Sequence, residues 1–312
     1  MTKNLDKKEA KFTTSTTCAG CPIGLVASTV LNGTDHPIAV ANATGCMEVT
    51  TTIYPNTSWK VPYIHSVFAN VGATVSGMET AYRALQKRKK ISNNKRKQVK
   101  FVAFGGDGGT YDIGLQSLSG ALERQHNFLY VCYDNGAYMN TGNQRSGATP
   151  YGASTETTPY GKESFGKEVQ RKDLMGIVAA HHIKYAATAN IGFLDDFKAK
   201  VKKAFETKGP SFILVFSPCP NQWKFQAHKT IDIGKLAAET NFWPLYEIIN
   251  GEYKINYKPK TKKRIENFLE TQGRFKHIFK NSNKKELLKK IQEQVDNNWE
   301  RIEDLEETGV RV

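Results

Sequence analysis

The sequence VKFVAFGGDGGTYD, residues 99–112, joins an apolar stretch to a glycine-rich turn. The stretch Val99–Phe104 is rich in aromatic and β-branched residues without polar alternation, which is typical of a strand buried on both faces of a parallel sheet. The segment that follows predicts a helix over 112–125. Strand, glycine turn and helix in this order indicate an α/β fold whose turn leaves backbone N–H groups free for a phosphate; a purely structural turn is the alternative.

The same alternation of apolar strand and amphipathic helix extends along the chain. Further strands are predicted at Ile38–Ala43, Phe128–Tyr133, Ile183–Ala189 and Phe212–Phe216, and further helices over 66–87, 173–181 and 194–207. This order implies a doubly wound, mainly parallel sheet with helices on both faces. Ligands bind such sheets at the carboxyl ends of the strands, so the loops there are the candidate site.

The C-terminal part of the chain has a different charge pattern. Residues 251–290 carry 13 Lys and Arg against four acids, and residues 291–312 carry two against seven. We therefore predict one main domain, 1–225, and a basic, partly helical extension, 226–312, that serves as an arm at a subunit interface. Apolar residues at near-helical spacing mark the extension: Leu287, Leu288, Ile291, Val295, Ile302 and Leu305.

Composition limits the class of protein. The chain has 312 residues, 39% of them hydrophobic, and a formal charge of +14, which fits a globular protein and excludes collagenous or disordered chains. It has neither a membrane-length apolar run nor the apolar stretch of a signal peptide, so we expect a cytoplasmic protein without membrane contact. Residues 87–100 carry eight basic residues, but no nucleic-acid-binding motif accompanies them, so we expect no nucleic-acid partner.

A second loop supports a phosphate site. The predicted strand FLYVCY ends in Asp134, Asn135 and Gly136. If this strand neighbours the strand before Asp107, a carboxylate and an amide oxygen emerge together, which suits Mg²⁺. Gly-Asp-Gly, then 26 residues, then Asn resembles the diphosphate-binding signature of thiamine diphosphate enzymes. The resemblance implies Asp107 and Asn135 as side-chain Mg²⁺ ligands, Ala137 as a carbonyl ligand, and cofactor contacts at Gly45, Gly106, Gly108, Gly109 and Tyr138.

Four of the five cysteines lie in predicted loops. Cys18 and Cys21 form a C-x-x-C, whereas Cys46 and Cys219 each follow a strand, and Cys132 lies inside one. Such a set suits either structural zinc or a 4Fe-4S cluster, and four unrelated thiols are a further alternative. One local pair with two distant single residues favours iron and sulfur. Decarboxylation of a 2-oxoacid on thiamine diphosphate leaves an electron-rich enamine, and a nearby cluster could remove its electrons one at a time.

Several segments over roughly residues 15–225 resemble the β subunits of 2-oxoacid:ferredoxin oxidoreductases, most closely those acting on pyruvate. They are CAGC, NATGCMEVTTTIYPNTSW, GGDGGTYDIGLQSLSGALER, YDNGAYMNTGNQRSGATP and SPCP. The resemblance implies that Cys18, Cys21, Cys46 and Cys219 ligate a 4Fe-4S cluster. It also implies that this subunit supplies the diphosphate half of the thiamine site.

The resemblance gives Asn140 a catalytic role. Its amide would donate a hydrogen bond to the substrate carbonyl or a developing oxyanion; the alternative is a turn residue before Thr141 and Gly142. The family it resembles places the glutamate that activates the aminopyrimidine on an α subunit, which implies that this chain alone is inactive. Implied partners are this α subunit, γ and δ subunits, and ferredoxin or flavodoxin, with pyruvate and coenzyme A as substrates.

Three alternatives stay open from sequence. A branched-chain 2-oxoacid or oxalate is the alternative substrate, and Gly136, beside the proposed Mg²⁺ ligand Asn135, stands where many members of the family it resembles have Glu. A thiamine-dependent lyase or decarboxylase with structural zinc is the alternative chemistry. A basic nucleic-acid-binding protein is the alternative outside enzymology, and it predicts steeply salt-dependent binding.

Overall fold

A single sheet of eight strands forms the centre of the computed structural model, which describes residues 10–91 and 98–311. The strands are β1 Ile38–Ala43, β2 Tyr63–Ser66, β3 Lys100–Gly106, β4 Leu129–Asp134, β5 Tyr185–Asn190, β6 Ser211–Phe216, β7 Leu245–Ile249 and β8 Glu252–Tyr257. Their order is β2-β1-β3-β4-β6-β5-β7-β8. The first six are parallel, whereas β7 pairs antiparallel with both β5 and β8.

Helices cover both faces of the sheet. They are α1 Ile23–Leu31, α2 Cys46–Thr51, α3 Val71–Lys87, α4 Leu115–Glu123, α5 Leu174–Ala179, α6 Leu194–Glu206, α7 Pro220–Trp223, α8 Thr230–Glu239, α9 Ile265–Leu269, α10 Lys276–Lys280 and α11 Lys284–Thr308. Alternate residues of β1 enter two separate cores: Ala41 packs with residues of α3 and α4, and Val40 with residues of α1 and α6. The predicted doubly wound, mainly parallel α/β fold is confirmed.

The predicted strands and helices are present with small shifts at their ends. One prediction was wrong at its start: the helix predicted over 66–87 begins at Val71, because Tyr63–Ser66 forms the edge strand β2. Edge strands are half exposed and lack the continuous apolar run that marks the central strands. In β2, Ile64 and His65 are exposed.

The C-terminal extension shares the sheet and the core. Strands β7 and β8 come from residues beyond 225, and the sheet is continuous across that position. The predicted helix is confirmed as α11, whose apolar side packs on the core that contains β3 and β4 residues. The division of the chain at residue 225 and the role of 226–312 as an interface arm stay predictions.

Part of the basic excess in the extension is neutralised within the extension itself. Lys258 pairs with Glu303 and Glu306 at 3.3 Å each, and Lys262 pairs with Asp296. The positive segment and the negative helix α11 thus attract each other, although such exposed pairs contribute little individually. The other basic segment, 87–100, falls partly on residues 92–97, outside the described residues, as do residues 1–9 at the chain start. Within the described ranges, every helix is too short or too polar to cross a membrane.

Candidate active site

The candidate site lies where the chain changes direction across the sheet. Strands β1 and β3 are neighbours, but the chain continues from β1 to β2 on one side and from β3 to β4 on the other. The loops after β1 and β3 therefore diverge and leave a crevice, the usual ligand position in such sheets. A cavity of about 110 Å³ occupies this position. Its lining includes every predicted cofactor-contacting residue together with Asn140: Gly45, Gly106, Asp107, Gly108, Gly109, Asn135, Ala137, Tyr138 and Asn140.

The glycine turn after β3 forms one wall of the cavity. Residues Gly108–Asp112 make a single π-helical turn, a feature found often at functional sites. A Cβ on Gly108 would lie only 2.5 Å from the ring of Tyr138. The Tyr138 hydroxyl donates to Oδ2 of Asp112 at 3.1 Å, so the ring is not free to move away. Glycine is required at position 108 by this close approach.

Three oxygens converge at the entrance to this turn. The side-chain oxygen of Asn135 is positioned 2.9 Å from Oδ1 of Asp107 and 2.9 Å from the carbonyl oxygen of Ala137. Acceptors this close need either a reversed amide, whose N–H groups donate to both, or a cation among them. Neighbouring ligands of an octahedral Mg²⁺ at about 2.0–2.1 Å are spaced about 2.9 Å apart, since the spacing is the bond length times the square root of two. The two spacings from Asn135 match this value, so these oxygens fit Mg²⁺ as well as they fit a reversed amide.

The carboxylate of Asp107 is enclosed by the protein. It is 1% exposed, its Oδ2 accepts from the Ser146 hydroxyl at 2.5 Å, and its Oδ1 accepts from the backbone N–H of Asn135 at 3.4 Å. Burial and then the nearby Asp134 carboxylate raise the pKa of Asp107 well above its usual range. A cation would offset both effects, because it favours the charged form of a carboxylate.

Asp134 and Asn135 are fixed from behind the cavity. The Tyr111 hydroxyl and Arg171 both donate to Oδ2 of Asp134 at 2.7 Å. The indole N–H of Trp223 donates to the carbonyl of Asn135 at 2.8 Å. These contacts hold the start of the loop after β4, and so the position of the Asn135 amide.

The four loop cysteines approach one another beside this cavity. The turn from Cys18 to Cys21 is closed by a backbone hydrogen bond of 3.0 Å. Inside this turn Gly20 has φ +73°, and a Cβ there would lie 2.4 Å from the Ala227 carbonyl oxygen. The Thr230 hydroxyl donates to the Gly20 carbonyl at 2.8 Å. The C-x-x-C turn is thereby packed against the segment that follows Cys219.

The thiols are near enough to affect one another's ionisation. Burial raises the pKa of Cys21 to about 12, the backbone N–H of Ile23 opposes this increase, and the charges of the other three cysteines each add a smaller increase. Burial and Cys219 raise the pKa of Cys46 to about 11. Bound iron would favour the thiolates, as metal ligation requires. Within residues 10–91 and 98–311, no three His, Cys, Asp or Glu side chains converge on a single metal ion; a 4Fe-4S cluster does not need this, because each cysteine binds a different iron.

Asn140 connects the two parts of the site. Asn140 is exposed at the rim of the cavity, and it lies near enough to Cys46 to oppose the burial that raises the pKa of that thiol. Cys46 itself lines the cavity. The fifth cysteine, Cys132, is fully buried in β4, as its apolar strand predicts.

Some residues that hold the site were not assigned a role from sequence. Ser146 lies in the quoted segment RSGATP, but its contact with Asp107 joins residues 39 positions apart. Arg171 and Asp134 are 37 positions apart, and Trp223 and Asn135 are 88 apart. Polar residues in loops were the only available signal, and they do not identify the partner.

Comparisons with known proteins agree with this geometry. The family described as "Thiamine pyrophosphate enzyme, C-terminal TPP binding domain" matches residues 43–215. Pyruvate synthase subunit PorB of Thermotoga maritima is 51% identical, covering 98% of this chain and 95% of that protein. Ketoisovalerate oxidoreductase subunit VorB of Pyrococcus abyssi is 43% identical, covering 96% and 94%.

The fold is also similar to that of a solved structure. A chain of the 2-oxoglutarate:ferredoxin oxidoreductase from Magnetococcus marinus, solved with 2-oxoglutarate, coenzyme A and succinyl-CoA, aligns with a TM-score of 0.55 and 22% identity. The alignment covers 70% of each chain. At this identity the likeness concerns the fold. The family model and the sequence relatives lead to one conclusion: the chain belongs to the thiamine pyrophosphate enzymes and, among them, to the family of pyruvate synthase subunit PorB.

Proposed function

We propose that this chain is the β subunit of a pyruvate:ferredoxin oxidoreductase. With its partner subunits it would convert pyruvate and coenzyme A to acetyl-CoA, carbon dioxide, one proton and two electrons, or run the reverse reaction. The electrons would pass through a 4Fe-4S cluster to ferredoxin or flavodoxin. The observation that carries the proposal is the common cavity of the Asp107, Asn135 and Asn140 loops, bordered by the cysteine group.

The protein groups have distinct tasks in this proposal. Asp107, Asn135 and the Ala137 carbonyl would hold Mg²⁺, and the glycine turn would receive the diphosphate through backbone N–H groups. Cys18, Cys21, Cys46 and Cys219 would hold the cluster. Bound thiamine diphosphate would supply the carbanion chemistry of decarboxylation, and the cluster would supply one-electron transfer.

Asn140 is positioned to act on the substrate. A neutral amide donates a hydrogen bond to a carbonyl oxygen and keeps doing so as negative charge develops there, without transferring a proton. Asn140 lies at the exposed rim of the cavity, where a substrate would enter, and not in its buried floor. Cys46, one of the proposed cluster ligands, lines the same cavity.

The size of the cavity supports a shared site. Pockets for whole ligands are commonly about 300–1,000 Å³, whereas this cavity is about 110 Å³ and suits the diphosphate part of the cofactor. The aminopyrimidine part and the activating glutamate would come from an α subunit. The proposed complex also contains γ and δ subunits and lies in the cytoplasm.

The substrate is tested with the assembled complex. We expect pyruvate to support coenzyme A-dependent reduction of ferredoxin, and the β chain alone to be inactive. 2-Oxoisovalerate is the comparison substrate, since one relative is a ketoisovalerate oxidoreductase subunit; oxalate is a second. A higher kcat/KM for 2-oxoisovalerate or oxalate than for pyruvate would identify that compound as the substrate. Decarboxylation without reduction of an electron acceptor would contradict the redox proposal.

A further inference from the structure

A buried lysine lies behind the Asp107 carboxylate. Lys167 is only 1% exposed, and its ammonium group donates to the carbonyl oxygens of Thr149 at 2.6 Å and of Ser146 and Gly147 at 3.3 Å each. An ammonium group has three donors, and all three are used here. Its partners all belong to one turn, residues 146–149, which we call the serine turn.

The opposite side of the serine turn faces the proposed magnesium site. The Ser146 hydroxyl donates to Oδ2 of Asp107 at 2.5 Å, and the backbone N–H of Gly147 donates to Oδ2 of Asp112 at 2.8 Å. The Thr149 hydroxyl donates to the Gly136 carbonyl at 2.7 Å. The donors of the turn therefore fix both the glycine turn and the loop that carries Asn135, while Lys167 satisfies its carbonyls.

The backbone that carries the Lys167 side chain is also fixed. The backbone of Lys167 exchanges two hydrogen bonds with the neighbouring segment, with Gly152 at 2.8 Å and Ala153 at 3.0 Å. Gly166 precedes it with φ +103°, and a Cβ there would lie 2.7 Å from the Ala153 carbonyl oxygen. The lysine thus reaches the serine turn from a segment whose backbone is fixed.

A charge at this depth is costly. Burial, followed by the positive charges of Arg145 and Arg171, lowers the pKa of Lys167 to about 8. An apolar side chain would avoid this cost but would leave carbonyl oxygens of the turn without a donor, which is itself unfavourable in the interior. The role of Lys167 is therefore to hold the serine turn in its position.

We infer that Lys167 is a positioning residue for the magnesium and diphosphate site, acting through Ser146 on Asp107. By holding the turn, it keeps the Ser146 hydroxyl on Oδ2 and leaves Oδ1 directed at Asn135. The inference rests on the proposed function, because it assumes that Asp107 binds Mg²⁺. Residues that orient metal ligands commonly change metal affinity about 10–100-fold when replaced.

The test is a Mg²⁺ titration of the assembled enzyme after removal of Mg²⁺ and thiamine diphosphate under anaerobic conditions. Calorimetry at fixed thiamine diphosphate gives the Mg²⁺ concentration for half-maximal cofactor binding, independently of turnover. Lys167→Met is compared with Lys200→Met, because Lys200 is equally buried at 1% but pairs with Asp196 on α6. We expect at least a tenfold increase for Lys167→Met and less than twofold for Lys200→Met. Equal effects, or none for Lys167→Met, would overturn the inference.

A double-variant comparison tests the route through Ser146. If Lys167 acts by way of that hydroxyl, Lys167→Met adds little to Ser146→Ala, whereas independent effects multiply; multiplication would overturn the stated route. If Lys167→Met does not assemble, Lys167→Gln, which keeps an amide donor group, takes its place. The limits are the same: at least a tenfold increase for the Lys167 variant and less than twofold for Lys200→Met. Asp107→Ala separates the two proposals. If Asp107→Ala leaves the Mg²⁺ dependence of cofactor binding unchanged, the proposed magnesium site is wrong. If Asp107→Ala abolishes Mg²⁺-dependent binding and Lys167→Met has no effect on it, only the role of Lys167 is wrong.

Discussion

The side-chain amide of Asn140 lies close enough to Cys46 to oppose the burial that raises the pKa of its thiol, so a proposed catalytic residue is adjacent to a proposed cluster ligand. Both residues line the cavity beside the glycine turn. The proposed site of carbon chemistry and the proposed site of electron removal are thus adjacent. This arrangement suits an enzyme that removes electrons from the product of decarboxylation before it can be protonated.

Asn140→Ala should lower kcat of the assembled enzyme by about 10²- to 10³-fold, the usual effect of removing a donor to a developing oxyanion. Thiamine diphosphate affinity should stay within about twofold, because Asn140 lies at the rim and not among the three oxygens. Steady-state kinetics and cofactor titration on one preparation give both values. Normal turnover would return Asn140 to the role of a turn residue.

Asp107→Ala should weaken Mg²⁺-dependent binding of thiamine diphosphate at least about tenfold, because it removes a charged ligand. Asp195→Asn is the control, since the Asp195 side chain is fully exposed and pairs with Lys198 at the surface. Binding is measured by calorimetry on the assembled complex. A similar affinity in both variants would argue against magnesium at Asp107.

Gly108→Ala should weaken cofactor binding, because the new Cβ would lie 2.5 Å from the held ring of Tyr138, so the glycine turn must shift and change the cavity that it lines. Gly77→Ala is the matched control in α3, where a Cβ has no neighbour within 4 Å. That variant should be more stable by about 0.5–1 kcal/mol, the helix preference for Ala over Gly. Cofactor titration and chemical unfolding are both needed. Unchanged binding in Gly108→Ala would show that the turn tolerates a side chain.

Gly20→Ala should reduce the iron content of the purified chain. A Cβ at Gly20 would clash with the Ala227 carbonyl oxygen at 2.4 Å, and φ +73° disfavours alanine as well, so the C-x-x-C turn must move. Gly24→Ala, in α1, meets only ordinary contacts of 3.7 Å or more and should retain its iron. Iron and acid-labile sulfide are assayed per chain. Full iron in Gly20→Ala would mean that the turn does not hold the cluster.

The central strands could be predicted from sequence because burial on both faces leaves a continuous apolar run, as in Phe212–Phe216, which forms most of β6. The strands at the two edges lack such a run. β8 alternates between exposed residues and residues that are buried or partly buried, and it carries charges, so its composition is that of a solvated segment. The signal that does mark its pairing with β7 is the Asn250-Gly251 turn between the two strands, since both residues have the positive φ of a two-residue hairpin turn.

The residues of the site likewise divide into those that could be placed from sequence and those that could not. Asp107 and Asn135 follow neighbouring strands, β3 and β4, so their proximity was predictable once the order of strands was assumed. Ser146 and Lys167 could not be placed, because their contacts are made between irregular segments whose paths depend on the folded loops. Lysine in particular is expected at the surface, and nothing local marks Lys167 as buried.

The most direct test of the account is the metal content and spectrum of the complex after anaerobic purification with its partner subunits. We expect the β chain to contribute four irons and four sulfides, with an electron paramagnetic resonance signal after dithionite reduction. Replacing Cys46 with Ser should remove that contribution, since Cys46 is one of the four proposed ligands. Zinc without sulfide at these cysteines would contradict the redox role and leave a thiamine enzyme of the non-oxidative kind.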